Sequence, residues 1–223
     1  MAEMEDILRP PERQMPDYPA KVIDLKTGEK MIVRQARREE AATIMEAIAP
    51  LVRVEKDYFD IVAARTYAEL LAWKRYRVRD EYCLVGLIDG LLVGQVNGRM
   101  WDEDIGVSYH TLTLKRGRRV GAHLFASKME YHIEFLKQKE VQVTAESPIG
   151  FRRWMEEYGL VQRPGQHELG GADIWALTEE VYRAARERLV QGARPVPEEL
   201  METARTIRIP SPEQLLSEMA GQA

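Results

Sequence analysis

The residues of this 223-residue chain best suited to chemistry gather in one stretch, 107–136. An alternating run ending in Leu112-Thr113-Leu114 predicts a strand. The basic turn Lys115-Arg116-Gly117-Arg118-Arg119 then leads into a helix, whose apolar face is written by Val120, Leu124, Phe125, Met129, Ile133 and Leu136 at three- to four-residue spacing. The first turn of such a helix has backbone N–H groups without intrahelical partners and carries the positive end of the macrodipole. Gly117 and Gly121 allow close backbone approach, and Arg116, Arg118 and Arg119 add full charges, so the arrangement suits a phosphate or pyrophosphate. Groups able to move protons stand nearby: Tyr109 and His110 in the strand, Glu103 before it, Glu146 after the next strand and Tyr158 at the end of a later helix. Which side of the sheet His110 faces turns on a single step of register. His123, His132 and His167 show no ligand spacing with one another or with carboxylates, so no metal site is expected.

The elements that must hold these groups follow from pattern. Residues 1–20 carry Pro10, Pro11, Pro16 and Pro19 among charges and are expected as an extended arm. Val22-Ile23-Asp24-Leu25 and Met31-Ile32-Val33 flank Thr27-Gly28-Glu29 as a hairpin. Two helices should follow, over 38–52 with Ala41, Ile44, Met45 and Ile48 on one face, and over 58–73 with Ile61, Val62, Tyr67, Leu70, Leu71 and Trp73 as the apolar stripe. The apolar runs 82–88 and 91–96 enclose Asp89-Gly90, the signal of a type I′ hairpin. Residues 141–145 predict a strand parallel to the one ending at Leu114, because a helix connects them. A helix over 148–158, a loop marked by Pro164-Gly165 and Gly170-Gly171, and a last strand over 172–177 complete the sheet. Thr178 caps a helix ended by Gly192 and Pro195, residues 197–206 form another, and the remainder, with Pro210 and Pro212, trails off. The segment 179–223 is too small for its own core, so it either packs back or contacts another subunit as a homodimer.

Composition narrows the functions. With 45% hydrophobic and 30% charged residues the chain reads as an ordinary globular protein, and its net charge of −4 supplies no field for nucleic acid or an anionic membrane. An anion site must therefore be local. The single cysteine, Cys83, rules out an internal disulfide, and without a signal segment or a long apolar run the expected location is cytoplasmic.

The order of elements over 31–177 resembles the GNAT superfamily of N-acetyltransferases. Val33-Arg34-Gln35-Ala36 with the helix after it is similar to that family's opening, residues 84–94 to its second and third strands, and Arg116-Gly117-Arg118-Arg119-Val120-Gly121-Ala122 to its pyrophosphate turn, Gln/Arg-x-x-Gly-x-Gly/Ala. Arg119 stands where the middle glycine is usual. The resemblance implies an α/β (α+β) fold: a mixed, mostly antiparallel central sheet with helices on both faces and a β–α–β unit for acyl-CoA. With the arm read over 1–20 and the helical extension over 179–223, the acyltransferase domain it implies spans 21–178. By the same resemblance, acetyl-CoA or coenzyme A is held by Leu112, Thr113 and Leu114 along its pantetheine arm and by Arg116, Gly117, Arg118, Arg119, Val120, Gly121 and Ala122 at its pyrophosphate. The acceptor is a small-molecule or peptide amine, and Tyr109, His110, Glu146 and Tyr158 are the catalytic candidates. The family's tyrosine after the fifth strand is missing, since Pro148, Phe151, Trp154 and Met155 occupy that motif. The alternative is a GNAT-like domain that binds acyl-CoA without turnover, as a sensor or interaction module.

Overall fold

The computed structural model describes residues 2–9, 13–144, 147, 150–166 and 173–220. Eight strands form one sheet in the order β1-β2-β3-β4-β5-β6-β8-β7. β1 (Lys21–Asp24), β2 (Lys30–Gln35), β3 (Glu81–Ile88), β4 (Leu91–Met100) and β5 (Ile105–Thr113) run as an antiparallel meander, and β5 pairs β6 (Glu140–Val143) in parallel. β8 (Asp173–Thr178) lies antiparallel to β6 and carries β7 (Val161–Gln166) on its far edge. This is the mixed, mostly antiparallel sheet expected. At the β3–β4 turn Asp89 and Gly90 both take positive φ, 49° and 77°, as a type I′ hairpin requires.

Helices cover both faces, so β3 is buried along its whole length and shows no polar alternation. On one face lie α2 (Ala41–Ile48) with its flanking 3₁₀ turns, α3 (Phe59–Lys74), α7 (Glu198–Ala204) and α8 (Pro212–Ala220), sharing a core built on Ile44, Leu51, Leu70, Val85, Leu112 and Leu215. The other face carries α4 (Val120–Glu130), extended by a π-type turn over Tyr131–Phe135, with Met31, Tyr82, Leu84, Val96, Leu124 and Tyr131 packed beneath it. Where the sheet continues into β6 and β8, α4, the short helical segment α5 (Phe151–Glu156) and α6 (Glu179–Leu189) enclose Phe125, Met129, Val141, Leu177 and Tyr182.

Four expectations are corrected. The arm is not extended throughout, because Ala2–Ile7 forms a short helix, α1. Along α3 the buried line is Ala63, Thr66, Leu70 and Trp73, while Ile61, Tyr67 and Leu71 face outward. β7 replaces the loop read from Pro164-Gly165. It is an edge strand, where a missing N–H costs no ladder bond, and the register slips between Arg163 and Gln166. The tail does not trail off: Ser211 and Gln214 cap α8 reciprocally, Ser211 N–H to Gln214 Oε1 at 3.0 Å and Gln214 N–H to Ser211 Oγ at 3.2 Å.

The C-terminal extension packs back on its own chain. Ala193 exchanges hydrogen bonds with Val22 (3.0 and 2.8 Å), covering the open edge of β1, and Arg208 does the same at the β3–β4 hairpin through Gly90 and Leu92 (both 2.8 Å). Ala204, Ile207, Leu215 and Met219 are buried in the α2–α3 core. The amphipathic pattern that suggested a subunit contact is thus satisfied within one chain. Among the described residues no helix is long and apolar enough to cross a membrane.

Candidate active site

The site begins with a break in the β4–β5 ladder. Val96 pairs Thr111 and Gly98 pairs Ser108, so Asn97 alone faces two residues, Tyr109 and His110. This bulge answers the question of register, because both side chains point to the α3 face. The Tyr109 hydroxyl lies 3.5 Å from Arg99 Nη1, and His110 Nε2 lies 3.1 Å from Glu69 Oε1, an ion-pair distance without the alignment of a hydrogen bond. Glu69 is placed by α3, where it follows Val62 and Thr66 at helical spacing, and its Oε2 accepts from Asn97 Nδ2 at 2.7 Å. Asn97 also donates to Glu81 Oε1 at 3.1 Å. Burial, then the charge of Glu69, pushes the Glu81 carboxyl well above its ordinary range.

From the bulge onward β5 has an open edge. Pairing with β6 covers only Ile105–Ser108, after which the strands splay and leave a cleft walled by Thr111, Phe125, Val143, Ser147 and Trp154. Leu114 N–H donates to Val93 O at 2.9 Å. By antiparallel alternation Leu112 then spends its N–H and C=O on Gln95, and Thr111 and Thr113 turn theirs into the cleft. Of the residues expected along the pantetheine arm, Thr113 turns its backbone groups into the cleft, together with Thr111, whereas Leu112 and Leu114 direct their N–H groups to β4 and their side chains into the core.

The cleft widens into a groove of about 180 Å³ that reaches the turn before α4. The first intrahelical bond there is His123 N–H to Arg119 O at 3.1 Å, and no side chain caps the helix, so the amides of Val120, Gly121 and Ala122 are free of intrahelical partners. Arg119 sits at φ 58°, ψ 20°, the left-handed conformation that explains why glycine is usual at this position in the family it resembles. Gly121 has the opposite constraint: a Cβ there would lie 2.9 Å from the Thr113 methyl. The cations of the turn are already engaged. Lys115 and Arg118 pair with Glu29, Arg116 with Asp57, and Arg119 with Glu157 at 3.5 Å. The Arg116 N–H donates to Glu218 Oε1 of α8 at 3.1 Å.

The remaining candidates separate. Tyr158 is core, 7% exposed and edge-on to Phe125, and burial raises its hydroxyl well above the ordinary value. It is outside the cleft, where Trp154 stacks on Phe125 at 4.0 Å instead. Glu146 lies outside the described residues. Glu103 is exposed in the turn that starts β5, at the strand's other end from the turn before α4, and neighbouring Asp102 caps that turn through Asp104 and Ile105 N–H (2.8 and 2.7 Å). His132 is a buried structural ring, held between the Tyr82 hydroxyl and Gln138 and pushed by burial down to about 3.

Sequence reasoning missed Glu69, Asn97, Glu81 and Lys128. Lys128 is fully buried, and desolvation pushes its ammonium down to about 7. Its signal was a lysine one helical turn after Leu124, in the middle of an apolar face.

This combination of a splayed sheet, a bulged central strand and an uncapped helix defines the chain's class: it has the GNAT fold. It is similar to the GNAT domain of S. lividans PAT, with 15% identity and a TM-score of 0.56 over 74% of this chain and 99% of that one. A structure of Mycobacterium smegmatis RimJ in complex with CoA-disulfide matches at 14% identity and TM-score 0.53, over 81% of this chain and 100% of that one. An uncharacterized protein from Bacillus halodurans matches at 10% identity and TM-score 0.55, over 78% and 97%. No family model matches the chain. No curated protein matches its sequence either.

Proposed function

We propose that this chain is an N-acyltransferase that takes its acyl group from a coenzyme A thioester, with acetyl-CoA as donor, and passes it to a small-molecule or peptide amine in a ternary complex. The observation that carries this reading is the continuity of one groove, from the outward amides of Thr111 and Thr113 to the uncapped start of α4. An extended amide-bearing arm pairs with an open strand edge as another strand would. A pyrophosphate meets the amides from Gly117 to Ala122, with Arg116, Arg118 and Arg119 around it. That the similar M. smegmatis structure carries a coenzyme A disulfide supports the choice of ligand. In this reading residues 21–178 do the chemistry and 179–223 brace them.

At the apex of the cleft the amine nitrogen attacks the thioester carbon. The carbonyl oxygen takes up negative charge beside the Thr111 N–H, and collapse of the tetrahedral species breaks the C–S bond and releases the thiolate. His110, oriented by Glu69, accepts the proton lost by the amine.

Isothermal titration with acetyl-CoA and with free coenzyme A tests the ligand, repeated on Gly121→Glu, which sets a carboxylate at the pyrophosphate amides. Affinity near micromolar, about −8 kcal/mol, that disappears in a variant with unchanged circular dichroism is the expected result. No heat with either ligand would overturn the proposal. The engaged cations of the turn favour a second reading, a binder of acyl-CoA without turnover. A panel of amines separates the two, since only the enzyme releases free thiol.

A further inference from the structure

Lys128 reaches from α4 to the underside of the bulge. Its Nζ lies 3.3 Å from Asn97 O, 3.4 Å from Tyr109 O and 3.2 Å from His110 O, and among the described residues its hydrogen-bonding partners are these backbone carbonyls. Successive carbonyls of a regular strand point to opposite edges, so Tyr109 O and His110 O can converge on one atom only where an extra residue breaks the alternation. The ammonium satisfies acceptors that the bulge removes from the ladder. Such a charge is costly to bury, and a shorter or apolar residue would fill the same space more cheaply.

The peptide between His110 and Thr111 joins this cage to the cleft. A trans peptide points its N–H opposite its C=O. With His110 O held on Lys128, the Thr111 N–H is directed outward, as the ladder phase requires independently. A cation against the carbonyl end of a peptide polarises it and strengthens the N–H as a donor. The same contacts fix the backbone that aims the His110 ring at Glu69.

We propose that Lys128 is a positioning residue of the acyl-transfer site, whose buried ammonium locks the β5 bulge and polarises the His110–Thr111 peptide toward the thioester oxygen. The proposal rests on the acyltransferase reading, and its test is built to fail separately from it.

The probe is a ketone analogue of acetyl-CoA in which a methylene replaces the sulfur, labelled with carbon-13 at the carbonyl. It cannot turn over, so no acceptor is needed. Bound to the wild-type chain, its carbonyl resonance should move downfield, reporting polarisation. In Lys128→Met and in Lys128→Gln, the latter keeping hydrogen-bond donors without charge, the analogue should bind within about twofold of wild type, because the pyrophosphate turn lies at the other end of the groove. Most of the downfield shift should be gone, and Lys128→Arg should restore part of it. An unchanged shift in the neutral variants overturns the proposal. So does failure of both to fold, which would make Lys128 a residue of stability alone. No binding to the wild-type chain would instead sink the acyltransferase reading.

Discussion

Replacing Glu130 by Gln should cost about 3 kcal/mol of stability at pH 7. The Glu130 side chain is 2% exposed and accepts from the Tyr18 hydroxyl (2.6 Å), Lys21 Nζ (2.7 Å) and Arg194 Nη1 and Nη2 (2.9 and 3.1 Å). It thereby ties the N-terminal arm, β1 and the C-terminal extension to α4. Burial alone would raise its pKa, but the hydrogen bonds from Arg194, Lys21 and Tyr18 and the charge of Lys21 prevail and hold it down at about 2, against 4.5 for an ordinary glutamate. At 1.36 kcal/mol per pH unit the difference is about 3 kcal/mol, in line with the cost of stripping one partner from a buried pair. A depressed carboxylate stabilises the fold above its unfolded pKa and loses that contribution as pH falls through its folded value. The gap between wild type and variant should therefore be full at pH 7 and shrink between about 4.5 and about 2. Urea unfolding followed by tryptophan fluorescence measures it as a lower midpoint with an unchanged slope. Burial pushes the Lys21 ammonium the unfavourable way, down, so the pair as a whole is worth less than Glu130 suggests. A cost below about 1 kcal/mol for Glu130→Gln, or one that does not change with pH, would refute this reasoning.

Two further outcomes are expected. Burial and the charge of Glu69 raise the pKa of Glu81, and a raised carboxyl stabilises below its unfolded pKa and costs stability as pH climbs; Glu81→Gln should thus be neutral near pH 4 and gain thermal stability relative to wild type toward pH 8, with an unchanged difference between the two proteins at both pH values counting against it. Glu218→Gln removes the carboxylate that holds the Arg116 amide, and exchanging a charge-assisted for a neutral hydrogen bond is worth about 1 kcal/mol, so calorimetry should find coenzyme A bound about fivefold tighter; unchanged affinity would mean that α8 and the ligand do not compete.

Signals carried by few neighbouring residues were legible in the sequence. Asp89-Gly90 has one good backbone solution, and the helix start after Arg119 is written by both periodicity and charge. The Ser211-Pro212-Glu213-Gln214 capping box was equally local, yet Pro210 and Pro212 read as the end of structure when Pro212 marks a helix's first turn. β7 was hidden because Pro164 and Gly165 forbid a central strand and say nothing against an edge. The bulge is a different matter. It exists only in the pairing of β5 with β4, so no pattern within β5 could place Tyr109 and His110 on the same side. Glu69 was obscured for the same reason: α3 offers apolar residues around most of its circumference, and the sheet decides which line faces inward.

The extension that crosses the α2 face sets an order of events in the life of the chain. Arg34 donates to Ala204 O at 2.7 Å across 170 residues of sequence, and Leu215 and Met219 close the same core as Ile44 and Leu51. At ribosomal rates of about 5–20 residues per second, roughly 10–30 s separate the emergence of β2 from that of its covering helix. During that interval α2 and α3 can already cover part of this face, and only the patch that α7 and α8 close stays open. A chain cut short before α8 lacks Leu215 and Met219 and so leaves that patch of the core open.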